Sequence, residues 1–373
     1  MEHGTSSGPP HQVARSGLVL ALAALFLSCA AGETKAGLGP NEPSPVTRLL
    51  VFPSDATVAA DGIVTFSASA IHEDLTTSVA PVTWGATGGD ISAAGVYTPG
   101  GMAGSFRVIA TQQGGTLADT ATVFVAPAPP TNAVIYLQDD FESGSLTAPV
   151  AMAGFGWNGS PADPGYQASV SPTRAHGGTS SLRFPYRAGT IDEDAWVEQR
   201  FTMGNNLTEV YVRYWLYIPS NYAHRDSPGG DNNKFFRIWD DNYGHVKLGS
   251  SLWPQSPSNP SAGSYLMLER ANYNEPGMGG YNFPTAQNFI SPADYGKWMR
   301  IQLYFKLDTG SGNARMKVWK NYALVLDSGN FANPAGPYLN AFQNGYILGW
   351  SNSGFNELTE LYVDDFTMSN TPE

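Results

Sequence analysis

The stretch K-W-M-R-I-Q-L-Y-F-K-L, residues 297–307, alternates without a break. Met299, Ile301, Leu303, Phe305 and Leu307 fall on one side of an extended chain, and Trp298, Arg300, Gln302, Tyr304 and Lys306 on the other. Three more runs divide in the same way. In 209–218, Tyr211, Arg213, Trp215 and Tyr217 oppose Val212, Tyr214, Leu216 and Ile218; in 234–239, Phe235, Arg237 and Trp239 oppose Phe236 and Ile238. In 196–201, Trp196, Glu198 and Arg200 oppose Val197 and Phe201. Further strand patterns cover 265–270, 315–319, 346–350 and 361–368, and no helical periodicity exceeds two turns. Roughly ten to fourteen antiparallel strands are expected across residues 134–373, enough for a two-sheet sandwich of jelly-roll size.

Ahead of this unit the β-type runs are shorter. L-L-V-F, V-T-F-S-A, V-T-W-G-A, F-R-V-I-A-T and A-T-V-F-V lie between D-G and G-G turns, which predicts a separate, smaller sandwich over residues 46–126. The run A-P-A-P-P-T-N makes 127–133 a stiff linker, and residues 30–45, without periodicity, read as a flexible tether. Residues 1–29 read as an export signal: Arg15 precedes an apolar run from Gly17 to Leu27 that is too short for a membrane-spanning helix. Cys29, at its end, is the chain's only cysteine, so disulfides play no part in either unit.

Composition narrows the choice of partner. The chain has 41 Gly and 27 Pro and is only 14% charged, which suits short strands joined by turns rather than long amphipathic helices. A net charge of −12 argues against nucleic acid, whose phosphates need a basic surface. The large unit has 16 Lys and Arg against 23 Asp and Glu, leaving 4 against 9 elsewhere, so acidity is spread over both parts.

Aromatic rings beside guanidinium, amide and ammonium groups are an unusual set for a solvated sheet face. Sugars need this set: pyranose C–H faces lie on Trp or Tyr, and the hydroxyl rim needs planar hydrogen-bond partners. A uronate adds a carboxylate, which Arg grips with two parallel bonds. Arg213, Trp215, Tyr217, Arg237, Trp239, Arg300, Gln302, Tyr304 and Lys306 are therefore the candidate carbohydrate-binding residues. Strands also favour aromatics for packing, and in a sandwich some of these strands must belong to the back sheet. Structural pairing of the same side chains thus stays open.

Resemblances sharpen these expectations. The end of the apolar run, F-L-S-C, resembles a bacterial lipoprotein signal, which implies lipidation of Cys29, membrane attachment through that anchor alone, and a cell-surface location; ordinary signal cleavage with loss of Cys29 is the other reading. The pattern V-T-W-G-A-T-G-G-D-I-S-A-A-G-V-Y-T resembles the bacterial immunoglobulin-like group 2 domain, which implies a spacer with Trp84 as its buried anchor and Tyr97 as a packing residue. D-D-F-E-S-G, R-A-H-G-G-T-S-S-L-R-F and L-Y-V-D-D-F-T-M resemble concanavalin A-like jelly rolls and carbohydrate-binding modules. That resemblance implies a structural calcium held by Glu142, Asp364 or Asp365 and the backbone near His176 and Gly177, hard oxygen ligands that suit the ion; solvated turn carboxylates are the alternative. The runs V-Y-V-R-Y-W-L-Y-I-P, N-K-F-F-R-I-W and K-W-M-R-I resemble jelly-roll polysaccharide lyases and their non-catalytic relatives.

Two function classes follow, with a third beside them. In the first the jelly roll recognises an extracellular polysaccharide. In the second it is a lyase that cleaves an acidic glycan by β-elimination, with Arg237, His224, His245 and Tyr304 as its catalytic set: Arg to neutralise the uronate, His and Tyr to move protons. The paired-carboxylate spacing of sandwich glycosidases, E-x-D-x-x-E, is absent from D-E-D-A-W-V-E and E-R-A-N-Y-N-E, which disfavours hydrolysis. The third reading is a structural or adhesion protein that touches no glycan.

Overall fold

The computed structural model describes residues 44–372 except 61, 102, 128–131, 191–192, 225–231, 242–246, 257, 272–280, 333–340 and 353. Cys29, the export signal, most of the tether and His245 lie outside the described residues. The fold is all-β, with two single-turn 3-10 helices, Pro260–Ala262 and Pro292–Asp294, as the only helical elements among the described residues.

Residues 46–125 form three small sheets around their own core of Leu49, Val51, Phe66, Tyr97, Val108 and Val123. Tyr97, rather than Trp84, is the residue fully enclosed there. Its hydroxyl donates to the Gly88 carbonyl at 2.8 Å, while Trp84 is half-buried against the core's edge. The expected roles of the two are exchanged: a hydroxyl with a local carbonyl partner can be enclosed without an orphaned polar group.

The large unit is a sandwich of a nine-stranded and a seven-stranded sheet. The spine of the first runs Ile135–Asp139, Thr359–Ser369, Glu209–Ile218, Lys297–Lys306, Arg315–Lys320 and Ala323–Asp327. The second runs Phe155–Trp157, Ala195–Leu207, Phe342–Ser351, Asn233–Trp239, Lys247–Pro254, Ser264–Ala271 and Tyr281–Ile290. The alternating apolar residues meet between the sheets. Phe236 of the second stacks on Phe305 of the first at 5.3 Å between centroids, and Phe201 lies 5.8 Å from Phe366. The unit's first and last spine strands pair, with Gln138 opposite Thr367.

This topology has one consequence for everything outside the core. The 209–218 and 297–306 strands belong to one sheet, and the 195–207 and 233–239 strands to the other. Their outward residues therefore lie on opposite surfaces of the sandwich, and the nine candidate carbohydrate-binding residues form two sets rather than one.

Candidate functional site

On the first sheet, in-register pairing sets Tyr211 opposite Tyr304, Arg213 opposite Gln302, Trp215 opposite Arg300 and Tyr217 opposite Trp298. Most of these groups are met by the protein itself. Tyr304 donates its hydroxyl to Glu209 at 2.7 Å and packs on Tyr211 at 4.6 Å. Burial and that carboxylate push its phenol far above the ordinary value. Arg174 lies 4.5 Å above the Tyr217 ring, and His176 stacks on Trp215 at 3.7 Å. Gln302 accepts from Arg300 at 3.2 Å, and the Arg300 guanidinium sits 4.2 Å over Tyr322. Lys306, half-buried at the strand's end, is paired in register with Glu209 and Arg315. Tyr304 thus has its hydroxyl engaged by Glu209, on the opposite surface of the sandwich from Arg237, so the structure does not bring these two expected catalytic residues together.

His224, expected to move protons, is buried, its Nε2 lying 2.7 Å from Ser264 Oγ and 3.1 Å from the Tyr222 hydroxyl. Asn233 donates to the same hydroxyl at 3.1 Å, so this polar group ties the 233–239 strand to the 264–271 strand's end.

The acidic residues expected to hold calcium do come to one loop, but in another arrangement. Glu142 Oε1 accepts from the Thr179 and Ser180 amides at 2.9 and 2.8 Å, and Oε2 from the Thr179 hydroxyl. Asp364 Oδ2 accepts from the His176 and Gly177 amides, and Oδ1 from the Asp365 amide. Asp365 faces His176 Nδ1 at 3.0 Å. Burial raises the Asp364 carboxyl to about 6, against those amide bonds. The loop turns the N–H groups of His176, Gly177, Thr179 and Ser180 toward the carboxylates, and among the described residues no group of three His, Cys, Asp or Glu is placed to hold a metal ion.

The second sheet's outer surface is arranged differently. A single transverse row crosses five strands: Arg200 opposite Tyr346, Tyr346 opposite Arg237, Arg237 opposite Gly249, and Gly249 opposite Glu269. At about 4.8 Å between strands the row spans roughly 19 Å. Gly249 is required here: a Cβ would fall 2.1 Å from the Phe236 carbonyl oxygen and 2.7 Å from Arg237 Cδ. Its absence lets the Arg237 side chain cross the 247–254 strand. The guanidinium, 1% exposed, donates to the Phe236 carbonyl at 2.8 Å, Ser251 Oγ at 2.9 Å and the Glu269 carboxylate.

Two lysines complete the cluster, and neither was singled out from the alternation. Register shifts between Lys234 and Phe236 against the 247–254 strand and between Asn233 and Phe236 against the 342–351 strand. This bulge turns Phe235 into the core, where it meets Phe289 and Tyr214. It also brings Lys234, opposite Ser251, onto the face shared by Arg237 and Gly249. Lys247 reaches that face two residues before Gly249. Burial first, and then the field of Arg237, hold both amines down to about 8, in spite of Glu269 and Asp194 near Lys234 and Asp240 near Lys247. Burial pushes Glu269 up, but Arg237, Ser251 and Lys234 together bring it below the usual carboxylate value. Trp239 lies 5.7 Å from Tyr346.

Along the 195–207 strand the same face carries Trp196, stacked on Trp350 at 4.8 Å and 13°. Trp350 is 36% exposed. The pair stands four residues from the Arg200–Tyr346 pair, or about 14 Å. Between them Glu198, buried and raised by that burial, accepts from Arg200 at 2.7 Å.

No protein-family model matches the chain, and no curated protein matches it. Among solved structures it is similar to an endo-β-1,4-glucuronan lyase from the fungus Trichoderma reesei, with 13% identity over 64% of this chain and 96% of that one and a TM-score of 0.47. It is also similar to an alginate lyase from a Chlorella virus, with 12% identity, 58% and 93% covered and a TM-score of 0.38. A cellulose-induced protein shares 17% identity over 63% of this chain and 97% of that one, again with a TM-score of 0.38. At these identities and scores no residue's role passes from them to this chain.

Proposed function

We propose that the outer face of the second sheet recognises an acidic, uronate-containing polysaccharide. The observation that carries this reading is the cluster of Lys234, Arg237 and Lys247, whose two amines are held at about 8. An amine resists protonation in this way where burial and neighbouring positive charge outweigh the carboxylates, and an arriving anion relieves both lysines. The Trp196–Trp350 pair supplies an aromatic platform on the same face, at a distance of about 14 Å that suits an extended chain rather than a single small molecule. Residues 46–126 serve in this reading as an immunoglobulin-like spacer, with lipidated Cys29 anchoring an exported protein at the bacterial surface.

A second reading, β-elimination, is favoured by the same lysines. An amine at about 8 is partly neutral near physiological pH and so suited to take the proton from C5 of a uronate. Arg237 and the remaining cation would offset the charge that builds on the carboxylate, with water protonating the leaving C4 oxygen as the C4–O bond breaks and the C4–C5 double bond forms. The two readings predict opposite responses to pH. Recognition needs protonated amines, so affinity falls as pH rises through about 8; elimination needs a neutral amine, so its rate rises there. Incubating the protein with glucuronan, alginate, pectate and glycosaminoglycans, and following absorbance of the unsaturated product, tests the second. Retarded migration in glycan-impregnated gels without product supports recognition alone. Neither signal, on any of these glycans, overturns both.

A further inference from the structure

The outer face of the first sheet holds a pocket that the proposed function does not use. Its volume is about 250 Å³, and Gln138, Arg213, Trp215, Arg300, Tyr322 and Thr367 are among its walls. It adjoins a second pocket of about 420 Å³ through Trp215 and Tyr322, where the far wall is Asp55, Thr57, Thr122 and Phe124 of the N-terminal unit. Together they fall in the size range of small-ligand clefts, roughly 300–1,000 Å³.

We infer that this pocket is a second sugar site, one that takes a single uronate residue, with its carboxylate between Arg213 and Arg300 and its ring against Trp215. Charge is the first support. Two guanidiniums face one lining carboxylate, Asp365, which is itself directed at His176. Side-by-side guanidiniums repel, and burial together with Arg300 lowers Arg213 to about 10; a bound carboxylate relieves that repulsion with bidentate bonds. Neutral groups for sugar hydroxyls stand at the rim: Gln138, and Thr367, whose Oγ1 accepts from Arg213 at 3.3 Å. The platform is fixed from behind, because His176 covers one face of Trp215 at an interplanar angle of 14°.

The placing of Tyr322 is the second support. Asn321 at φ 46° and Tyr322 at φ 68° are the two central residues of the hairpin turn between Lys320 and Ala323, a turn that takes left-handed backbone at both. That turn presents the Tyr322 ring, which is stacked on Phe124 at 3.9 Å and lies 4.2 Å from the Arg300 guanidinium. A residue of the N-terminal unit thereby orients one of the two anion-binding forks, which gives that unit a part in the site beyond spacing.

The test is a titration of the full chain with D-glucuronate, and with D-glucose as the neutral control, following the Trp215 indole N–H resonance, assigned by its loss in Trp215→Phe. Glucuronate is expected to shift it saturably and glucose to leave it in place. Arg213→Gln with Arg300→Gln should weaken binding about tenfold or more. Phe124→Ala, placed outside the large unit's core, should weaken it in the same direction, and Lys234→Gln with Lys247→Gln should leave it unchanged. A Trp215 signal unmoved by glucuronate in the unaltered protein overturns the inference, as does an equal shift by glucose or an undiminished shift in the double arginine variant. Loss of this site with glycan binding retained at the second sheet sinks only the pocket; the converse sinks only the proposed function.

Discussion

On the first sheet's outer face each ring or charge has a fixed neighbour: Tyr304 has Glu209, Tyr217 has Arg174, Arg300 has Tyr322. On the second sheet's outer face the cations gather instead. Arg237 crosses over Gly249 to Ser251 and Glu269, and Lys234 and Lys247 stand within its field. The two surfaces draw on the same residue types. They differ in how positive charge gathers: on the first, two guanidiniums, Arg213 and Arg300, stand side by side at one pocket; on the second, two amines gather about a single buried guanidinium. Only the second arrangement changes what its amines can do near neutral pH.

That contrast can be broken most severely at Glu269. Glu269→Ala leaves the buried Arg237 without its carboxylate, and a loss of roughly 3 kcal/mol or more is expected in denaturant unfolding. It should also take the Lys234 amine below about 8, because Glu269 is one of the groups that raise it. Gly249→Ala comes next. Its Cβ meets the Phe236 carbonyl oxygen at 2.1 Å and displaces Arg237, so about 2 kcal/mol should go, together with glycan binding. The same cavity-free crossing cannot be restored by repacking, since the clash is with backbone.

Smaller effects sharpen the comparison. The folded-state values of Lys234 and Lys247, about 8, lie below that of an unfolded lysine, 10.5. Between these values the unfolded chain binds more protons, so their burial penalty is full below about 8 and is relieved as pH rises toward 10.5. Unfolding measured at successive pH values should show stability rising across that window, and less so in Lys247→Met. Smallest is Tyr304→Phe on the opposite face. It removes one hydrogen bond to Glu209, costs about 1 kcal/mol, and should leave glycan binding and product formation at the unaltered level.

Much of the fold was legible in the sequence because alternation is a local property. The strand expected at 209–218 is observed as Glu209–Ile218, and 298–307 as Lys297–Lys306. Lys247–Pro254 and Tyr281–Ile290 were missed: K-L-G-S-S-L-W-P and Y-N-F-P-T-A-Q-N-F-I carry small, polar or proline positions where the pattern needs a large apolar residue. The site was harder to read. Alternation states which side of a strand a residue takes, not which sheet the strand joins, so Arg213 and Arg237 read alike although they face opposite ways. The bulge at Phe235 broke the period and hid Lys234. Lys247, Ser251 and Glu269 carry no pattern of their own; they matter only because neighbouring strands bring them alongside Arg237. A lysine followed two residues later by a glycine, in a strand next to an arginine-bearing one, is the slight signal that was there to find.

The most direct test of the account is a lysine titration by NMR on protein with labelled lysines, without and with an acidic oligosaccharide such as tetraglucuronate. Two amines should titrate near 8 in the free protein, disappear from that range in Lys234→Gln with Lys247→Gln, and move upward by about one unit or more when the glycan is bound. Midpoints that stay near 8 while the oligosaccharide is bound would place the glycan elsewhere and contradict the assignment of the second sheet's outer face.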